Sequence, residues 1–341
     1  MRRGERQESK KMNFKIIIEK LMSGYKLSTL EAYELMSKIG ENGFNEGQNT
    51  ALIIALSCRD IALEEIIGFR NALLDLSIPT TLTQYDAIDL CGTGGDEKNT
   101  FNISTLAAFV VAAAGYKVAK HGNYGVSSVS GSSNVLEKLG YKFSNDSSKL
   151  ERELNEFNIC FLHAPLFHPA LKNVGAIRKQ LGIKTIFNTL GPLVNPAKTK
   201  KQFVGVYNLK LARLYHYLLQ QDKKNYVVVH SVDGYDEISL TANVQYLSSR
   251  GENLLNPTDF GFEMLSQESL FGGDTLEQAR DIFVDVISNK GTQAQNNAVI
   301  ANAAAGIQCF EDKKTLLECV SIAQETLQSG KANELLKKLI S

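Results

Sequence analysis

The sequence has no excess of charge of either sign: 37 Lys and Arg stand against 37 Asp and Glu, a formal net charge of zero. Broad, sequence-independent binding to nucleic acid needs a basic face, and this balance argues against one. A local basic pocket for an anionic small molecule remains compatible with it. Cysteine is scarce and odd in number, with five residues (Cys58, Cys91, Cys160, Cys309 and Cys319) and no CxxC spacing. Neither a disulfide framework nor a zinc site fits that pattern, which reads as reduced, mostly buried thiols of an intracellular protein. No apolar run is long enough to cross a bilayer; the longest, Leu106 to Gly115, is half a span and rich in Ala. Arg2-Arg3 is followed by no apolar export region, so residues 1–12 read as a disordered polar leader and the protein as cytoplasmic. Internal repeats, low-complexity tracts and long linkers are absent.

What is present is a 341-residue chain, long enough for one large or two medium domains without metal or disulfide staples. From about residue 13 to 78 the pattern is helical, and Pro79 closes the region. Ser28-Thr29-Leu30-Glu31 forms a capping box, Leu35, Met36 and Ile39 follow at helical spacing, and Gly40 terminates the run. Ala51–Leu56 and Ile61–Leu76 read as two further helices. From Tyr85 the texture changes. Candidate strands at 87–91, 117–119, 159–162, 203–206, 226–230 and 244–247 are interleaved with candidate helices at 104–114, 132–139, 147–157, 209–221, 275–288, 294–308 and 314–328. Such alternation implies an α/β fold with a mostly parallel sheet. Residues 165–195 break the pattern with a helix and a Pro/Gly-bounded turn, which could pack on the α/β body or return to the helical module.

Four segments carry chemistry. In DLCGTGGDEKNTFNIST (89–105) a strand runs into a Gly-rich turn and then a helix start, where free N–H groups and the helix dipole favour an anion such as phosphate. It is neither a P-loop nor a GxGxxG dinucleotide loop, and a plain capped turn is the competing reading. In AKHGNYGVSSVSGSSNVLEKLG (119–140), Lys120, two close-approach glycines and five serines suggest a second phosphate site beside the first. In HSVDGYDEISL (230–240), a strand delivers Asp233, Asp236 and Glu237 into a loop; an Asp-Glu pair alone is usually a solvated turn, but beside two phosphate loops it suits Mg²⁺. In HPALKNVGAIRKQLG (168–182), Arg178 could clamp a carboxylate, though on its own pattern it is a surface charge on an amphipathic helix.

Taken together, GTGGD, TFNIST, KHGN with its following SS and GS, HPA…R, FN-LGPL-NP and DGxDEIS resemble the anthranilate phosphoribosyltransferases in order and spacing, from about residue 13 to the C-terminus. The resemblance implies a small helical domain (13–80 plus about 165–195) and a larger α/β domain (81–164 plus 196–341) of the nucleoside phosphorylase/phosphoribosyltransferase type, with the active site between them. It also implies a homodimer joined through the helical domain, and transfer of phosphoribosyl from phosphoribosyl pyrophosphate to anthranilate. By the same resemblance, phosphoribosyl pyrophosphate is contacted by Gly92, Gly95, Asp96, Thr100, Asn102, Ile103, Ser104, Thr105, Lys120, His121, Gly122, Asn123, Tyr124, Gly125, Val126, Ser127, Ser128 and Ser132. Mg²⁺ falls to Ser104, Asp236 and Glu237, anthranilate to Gly92, Asn123 and Arg178, and catalysis to Lys120, Asn123 and Arg178. The chain departs from the family pattern at Glu97 (GTGGDE for GTGGDG), Tyr124 (KHGNY for KHGNR) and Asn134 (often Asp). Two alternatives are a pyrimidine nucleoside phosphorylase, whose signature resembles KHSxGG, and a non-catalytic relative that binds nucleic acid.

Overall fold

The computed structural model describes residues 13–125 and 129–341. In chain order its helices and strands are α1 (Phe14–Met22), α2 (Thr29–Gly40), α3 (Glu46–Ser57), α4 (Leu63–Asp75), β1 (Ala87–Gly92), α5 (Ile103–Ala113), β2 (Lys117–Gly122), α6 (Ser132–Lys138), α7 (Ser147–Glu156), β3 (Ile159–His163), α8 (Ala164–Phe167), α9 (Lys172–Leu181) and α10 (Ile186–Leu190). The rest are β4 (Lys201–Gly205), α11 (Leu209–Gln221), β5 (Asn225–Ser231), β6 (Val244–Ser248), β7 (Gly251–Leu255), α12 (Leu276–Ile287), α13 (Gln293–Gln308), α14 (Leu316–Gln328) and α15 (Lys331–Ile340). The described residues divide into two compact units: residues 13–76 with 170–186, and residues from 77 to 169 with 187–341. The returning segment of the helical unit is thus shorter than the stretch of about 165–195 expected from sequence.

The helical unit holds α1–α4 and α9. The expected capping box forms at α2, where Ser28 Oγ accepts from the Glu31 amide and the Glu31 carboxylate accepts from the Ser28 amide. Leu35, Met36 and Ile39 bury one face of that helix, as their spacing requires. A buried carboxylate ties the connecting loops together. Glu65 accepts from the backbone amides of Leu27 and Ala62 and pairs with Arg59 at 2.5 Å. Burial works against its charge, but the Arg59 bond and the two amides outweigh that and hold the Glu65 carboxyl below its usual range.

The α/β unit is built on a seven-stranded sheet in the order β3-β2-β1-β4-β5-β6-β7. β1 to β5 are parallel, and β6 and β7 are added antiparallel. Val118, Ile159, Phe203, Val227 and Val229 lie in one continuous core with α5 and with the Ala298–Ile307 stretch of α13, both apolar on nearly every face and correspondingly buried. The Ala-rich run that is too short for a membrane is therefore a core helix, and no described helix is long and apolar enough to cross one. Four of the five cysteines are buried and Cys58 is exposed; all are free thiols. Two elements differ from the sequence reading. β7 (GENLL) is an exposed edge strand without apolar alternation, and α15 adds a helix beyond residue 328.

The strand order reverses between β1 and β4, whose last residues, Gly92 and Gly205, pair in register. A crevice at the carboxyl ends of such strands is the usual ligand position in an open α/β sheet. The Gly-rich loop after β1 and the acidic loop after β5 both begin at that end.

Candidate phosphate and metal site

The acidic loop lies directly on the ends of β1 and β4. A Cβ on Gly205 would overlap the Asp236 carbonyl, and one on Gly92 would overlap the Asp236 carboxylate. Glycine at both positions is what lets the loop sit there. Gly94 then donates its amide to Asp236 Oδ2 at 2.6 Å, and the Asp96 carboxylate accepts from the Lys98 amide at 3.0 Å and, longer at 3.5 Å, from the Asp236 amide. Glu237 reaches the start of α5, where its Oε1 accepts from the Ser104 amide at 3.3 Å. The helix N-terminus expected to face a phosphate therefore already holds a protein carboxylate.

Two buried carboxyls, Asp236 and Glu237, consequently lie near a third, the half-buried Asp96. Burial, followed by repulsion from Asp96 and Glu237, pushes Asp236 well above the usual carboxylate range. Glu237 is pushed up to about 7, chiefly by burial, with the Lys120 charge pulling it back. Asp96 is raised by burial as well. Oε2 of Glu237 is buried with no protein partner. A divalent cation would relieve both the repulsion and the orphaned oxygen, so these residues fit Mg²⁺. Among the described residues no three His, Cys, Asp or Glu side chains converge closely enough to enclose an ion. Asp236 and Glu237 can thus fill only part of a coordination sphere, leaving the remainder to water and substrate phosphate, as Mg²⁺ prefers.

Lys120 is 2 % exposed, and its ammonium donates to the Leu90 carbonyl, beneath the carboxyls rather than out on the loop. It acts electrostatically on Glu237 and on the buried Asp89, whose Oδ1 accepts from the His121 amide at 3.0 Å. His121 is buried too. Its Nδ1 donates to the Gly191 carbonyl at 3.2 Å, which fixes the tautomer, and burial with the neighbouring His168 lowers it to about 3. Burial thus favours the neutral imidazole.

The two loops are tied together through Asn102, whose Nδ2 donates to the Ser130 carbonyl at 3.0 Å. The N-terminus of α6 holds the second loop: Ser133 N and Ser132 Oγ donate to the Asn123 carbonyl, and Asn134 Oδ1 accepts from both Gly125 and Gly131. Thr100 is bridged to Phe271, and its neighbours Asn99 and Phe101 bond to Gly272 and Leu270. Ile103 and Thr105 are buried, and the Ile103 amide is taken by the Phe101 carbonyl. Tyr124 turns away to bond Glu137 at 2.8 Å and packs edge-on against His163, forming one wall of a cavity of about 550 Å³ with Tyr141 and Phe143. Val126, Ser127 and Ser128 lie outside the described residues, as do residues 1–12. Gly95 lies in the loop after β1, Gly122 ends β2, and Arg178 lies on α9 of the helical unit.

Two family descriptions match the chain: "Glycosyl transferase family, a/b domain" over residues 84–333, and "Glycosyl transferase family, helical bundle domain" over residues 15–77. The anthranilate phosphoribosyltransferase of Flavobacterium psychrophilum is 52 % identical over 325 residues, covering 95 % of this chain and 98 % of the relative. That of Flavobacterium johnsoniae is 53 % identical over 325 residues, with the same coverage. The chain belongs to the anthranilate phosphoribosyltransferase family. Among solved structures, the anthranilate phosphoribosyltransferase of Thermus thermophilus superposes with a TM-score of 0.88 at 32 % identity, covering 95 % of this chain and 98 % of that one. The Saccharomyces cerevisiae enzyme in complex with PRPP and Mg superposes with a TM-score of 0.85 at 27 % identity, covering 96 % of each chain.

The three departures from the family pattern have structural readings. Glu97 adopts φ 61°, a left-handed conformation that suits the family's glycine and costs a glutamate about 1 kcal/mol. Asn134 caps the second loop through its Oδ1 alone, the atom an aspartate would also offer. Tyr124 keeps its loop anchored through Glu137 but brings no positive charge. Sequence reasoning passed over Asp89, Ser231, Asn302 and the 270–273 clip; only Asn302 had a visible signal, as the lone polar residue within the buried run Ala298–Ile307 of α13.

Proposed function

We propose that this chain transfers the phosphoribosyl group of phosphoribosyl pyrophosphate to the amine of anthranilate, releasing pyrophosphate, in tryptophan biosynthesis. The observation that carries the reading is the buried Asp236–Glu237 pair, with the half-buried Asp96 beside it, set at the strand-order reversal between two Gly-rich loops. In the reaction the amine nitrogen forms a bond to C1 of the ribose, the C1–O bond to pyrophosphate breaks, and the nitrogen loses a proton. An aryl amine is neutral at pH 7, so no strong base is needed, in keeping with a His121 lowered to about 3.

Mg²⁺ on Asp236 and Glu237, with Ser104 beside them, would supply charge neutralisation for the departing pyrophosphate. The chain's own contribution is positional. The loops at Gly92–Thr100 and Gly122–Ser132 hold the phosphates, and Lys120 biases Glu237 toward its charged form from below. By the family resemblance Arg178 is assigned to anthranilate, the guanidinium pairing with its carboxylate. Aniline, which lacks that carboxylate, tests the assignment. With anthranilate the enzyme is expected to form a phosphoribosyl adduct, seen by mass spectrometry, while aniline reacts at least about tenfold more slowly. Arg178→Ala is expected to raise the KM for anthranilate while leaving that for phosphoribosyl pyrophosphate unchanged. Equal use of both amines by the wild type would remove Arg178 from the site.

The same reading makes the chain a cytoplasmic homodimer joined through its helical unit, where Ile16, Met22, Tyr25 and Leu30 are exposed apolar residues. Light scattering is expected to give twice the 37.6 kDa chain mass, and a monomer at working concentrations would contradict it.

A further inference from the structure

The carboxylates of Asp236 and Glu237 sit on a loop, yet a metal pair must be held within a fraction of an ångström. Elements outside the phosphate loops provide that restraint. Ile238, the next residue, is buried, and both of its backbone groups meet one side chain. Its amide donates to Asn302 Oδ1 at 3.0 Å, and its carbonyl accepts from Asn302 Nδ2 at 2.9 Å. The second Nδ2 hydrogen goes to the Ala298 carbonyl, one turn back on α13, at 2.8 Å. Asn302 is fully buried, its Oδ1 and both Nδ2 hydrogens are engaged, and two of the three bonds go to Ile238. A second bond comes from β5. Ser231 Oγ, also fully buried, donates to the Glu237 carbonyl at 2.7 Å and accepts from the Ser239 amide at 3.3 Å. The backbone of Glu237 and Ile238 is thus gripped from a core helix on one side and a core strand on the other. On a third side the loop is stopped by the glycine surfaces of β1 and β4.

We propose that Asn302 and Ser231 are positioning residues for the Asp236–Glu237 metal pair. This rests on the metal assignment above and deepens it. Neither side chain touches the reacting atoms; each fixes the peptide from which the carboxylates project. Outer-shell partners of this kind typically alter metal affinity by about 10- to 100-fold when removed.

The test measures Mn²⁺ binding in the presence of phosphoribosyl pyrophosphate, by the electron paramagnetic resonance signal of free Mn²⁺, alongside the Mg²⁺ concentration for half-maximal turnover. Asn302→Ala is expected to raise both constants about tenfold, with turnover recovering substantially at saturating metal. Ser231→Ala, a smaller change, serves if Asn302→Ala does not fold, and is expected to shift both in the same direction. Ile307→Ala, in the same helix and equally buried but facing elsewhere, supplies a stability control. It is expected to lower the melting temperature without moving either metal constant. If the Asn302 and Ser231 variants lose thermal stability but bind Mn²⁺ as the wild type does, the positioning role is wrong. An Asp236→Asn, Glu237→Gln variant run in parallel keeps the cases apart. Loss of Mn²⁺ binding there, with none in the Asn302 and Ser231 variants, overturns only this inference, whereas unchanged binding in the carboxylate variant overturns the metal assignment itself.

Discussion

Replacing Asp236 by Asn and Glu237 by Gln is expected to lower turnover by at least about a hundredfold, and added Mg²⁺ is not expected to restore it. The same change is expected to stabilise the metal-free protein at alkaline pH. The folded-state pKa values of both groups lie above their ordinary values, Glu237 at about 7 and Asp236 in the same upward direction. In that window the folded protein therefore holds protons that the unfolded chain releases. Stability drawn from these groups is present below the ordinary carboxylate range and is lost as pH rises through the folded-state values. Thermal unfolding of the metal-free wild type from pH 5 to 8 should thus fall relative to the Asn/Gln variant, and Mg²⁺ with phosphoribosyl pyrophosphate should remove the difference. A variant that keeps wild-type turnover, or a difference that grows in the opposite direction with pH, contradicts the account. Catalytic carboxylates crowded at a cost in stability are a common compromise at functional sites.

The second large effect is expected at Gly205, a residue that touches no substrate in this account. Its methyl counterpart would meet the backbone carbonyl of Asp236, which cannot rotate aside as a side chain would. Gly205 is also held in the sheet between β1 and β5, so the strand cannot yield easily. The acidic loop must move instead. Gly205→Ala is expected to cost about 1–3 kcal/mol of stability from overpacking and to cut activity by about a hundredfold through displacement of the carboxylates. Circular dichroism separates the two effects: a folded Gly205→Ala protein with weakened Mn²⁺ binding is the expected result. Full activity in that variant would show that the loop tolerates displacement.

Much of this arrangement was legible in the sequence because the relevant signals are local. A strand running into GTGGD, the serine- and glycine-rich stretch after Lys120, and the Asp-Glu pair after an apolar strand each mark a candidate site, although a plain turn competes with the first and the last until the three are read together. The helical and α/β modules separate on periodicity. Contacts set by tertiary geometry were not legible. Nothing local says that Lys120 points beneath the carboxyls to the Leu90 carbonyl, or that Glu237 takes the N-terminus of α5. Tyr124 reads as a loop residue, and only the positions of Glu137 and His163 draw its side chain away. β7 escapes because an exposed edge strand needs no apolar face, and its pairing with β6 is decided by the sheet already present. Asn302 is the intermediate case: a polar residue inside an apolar helix signals a buried partner, but which partner depends on where the acidic loop comes to rest.

The most direct test of the central claim follows anthranilate fluorescence after mixing the full-length protein with Mg²⁺ and phosphoribosyl pyrophosphate, with pyrophosphate measured in the same samples. Fluorescence is expected to fall only when all three components are present, with one pyrophosphate released per anthranilate consumed, and chelation of the metal is expected to stop both. Stable fluorescence with the intact protein, accompanied by phosphorolysis of thymidine or uridine, would contradict the transferase reading.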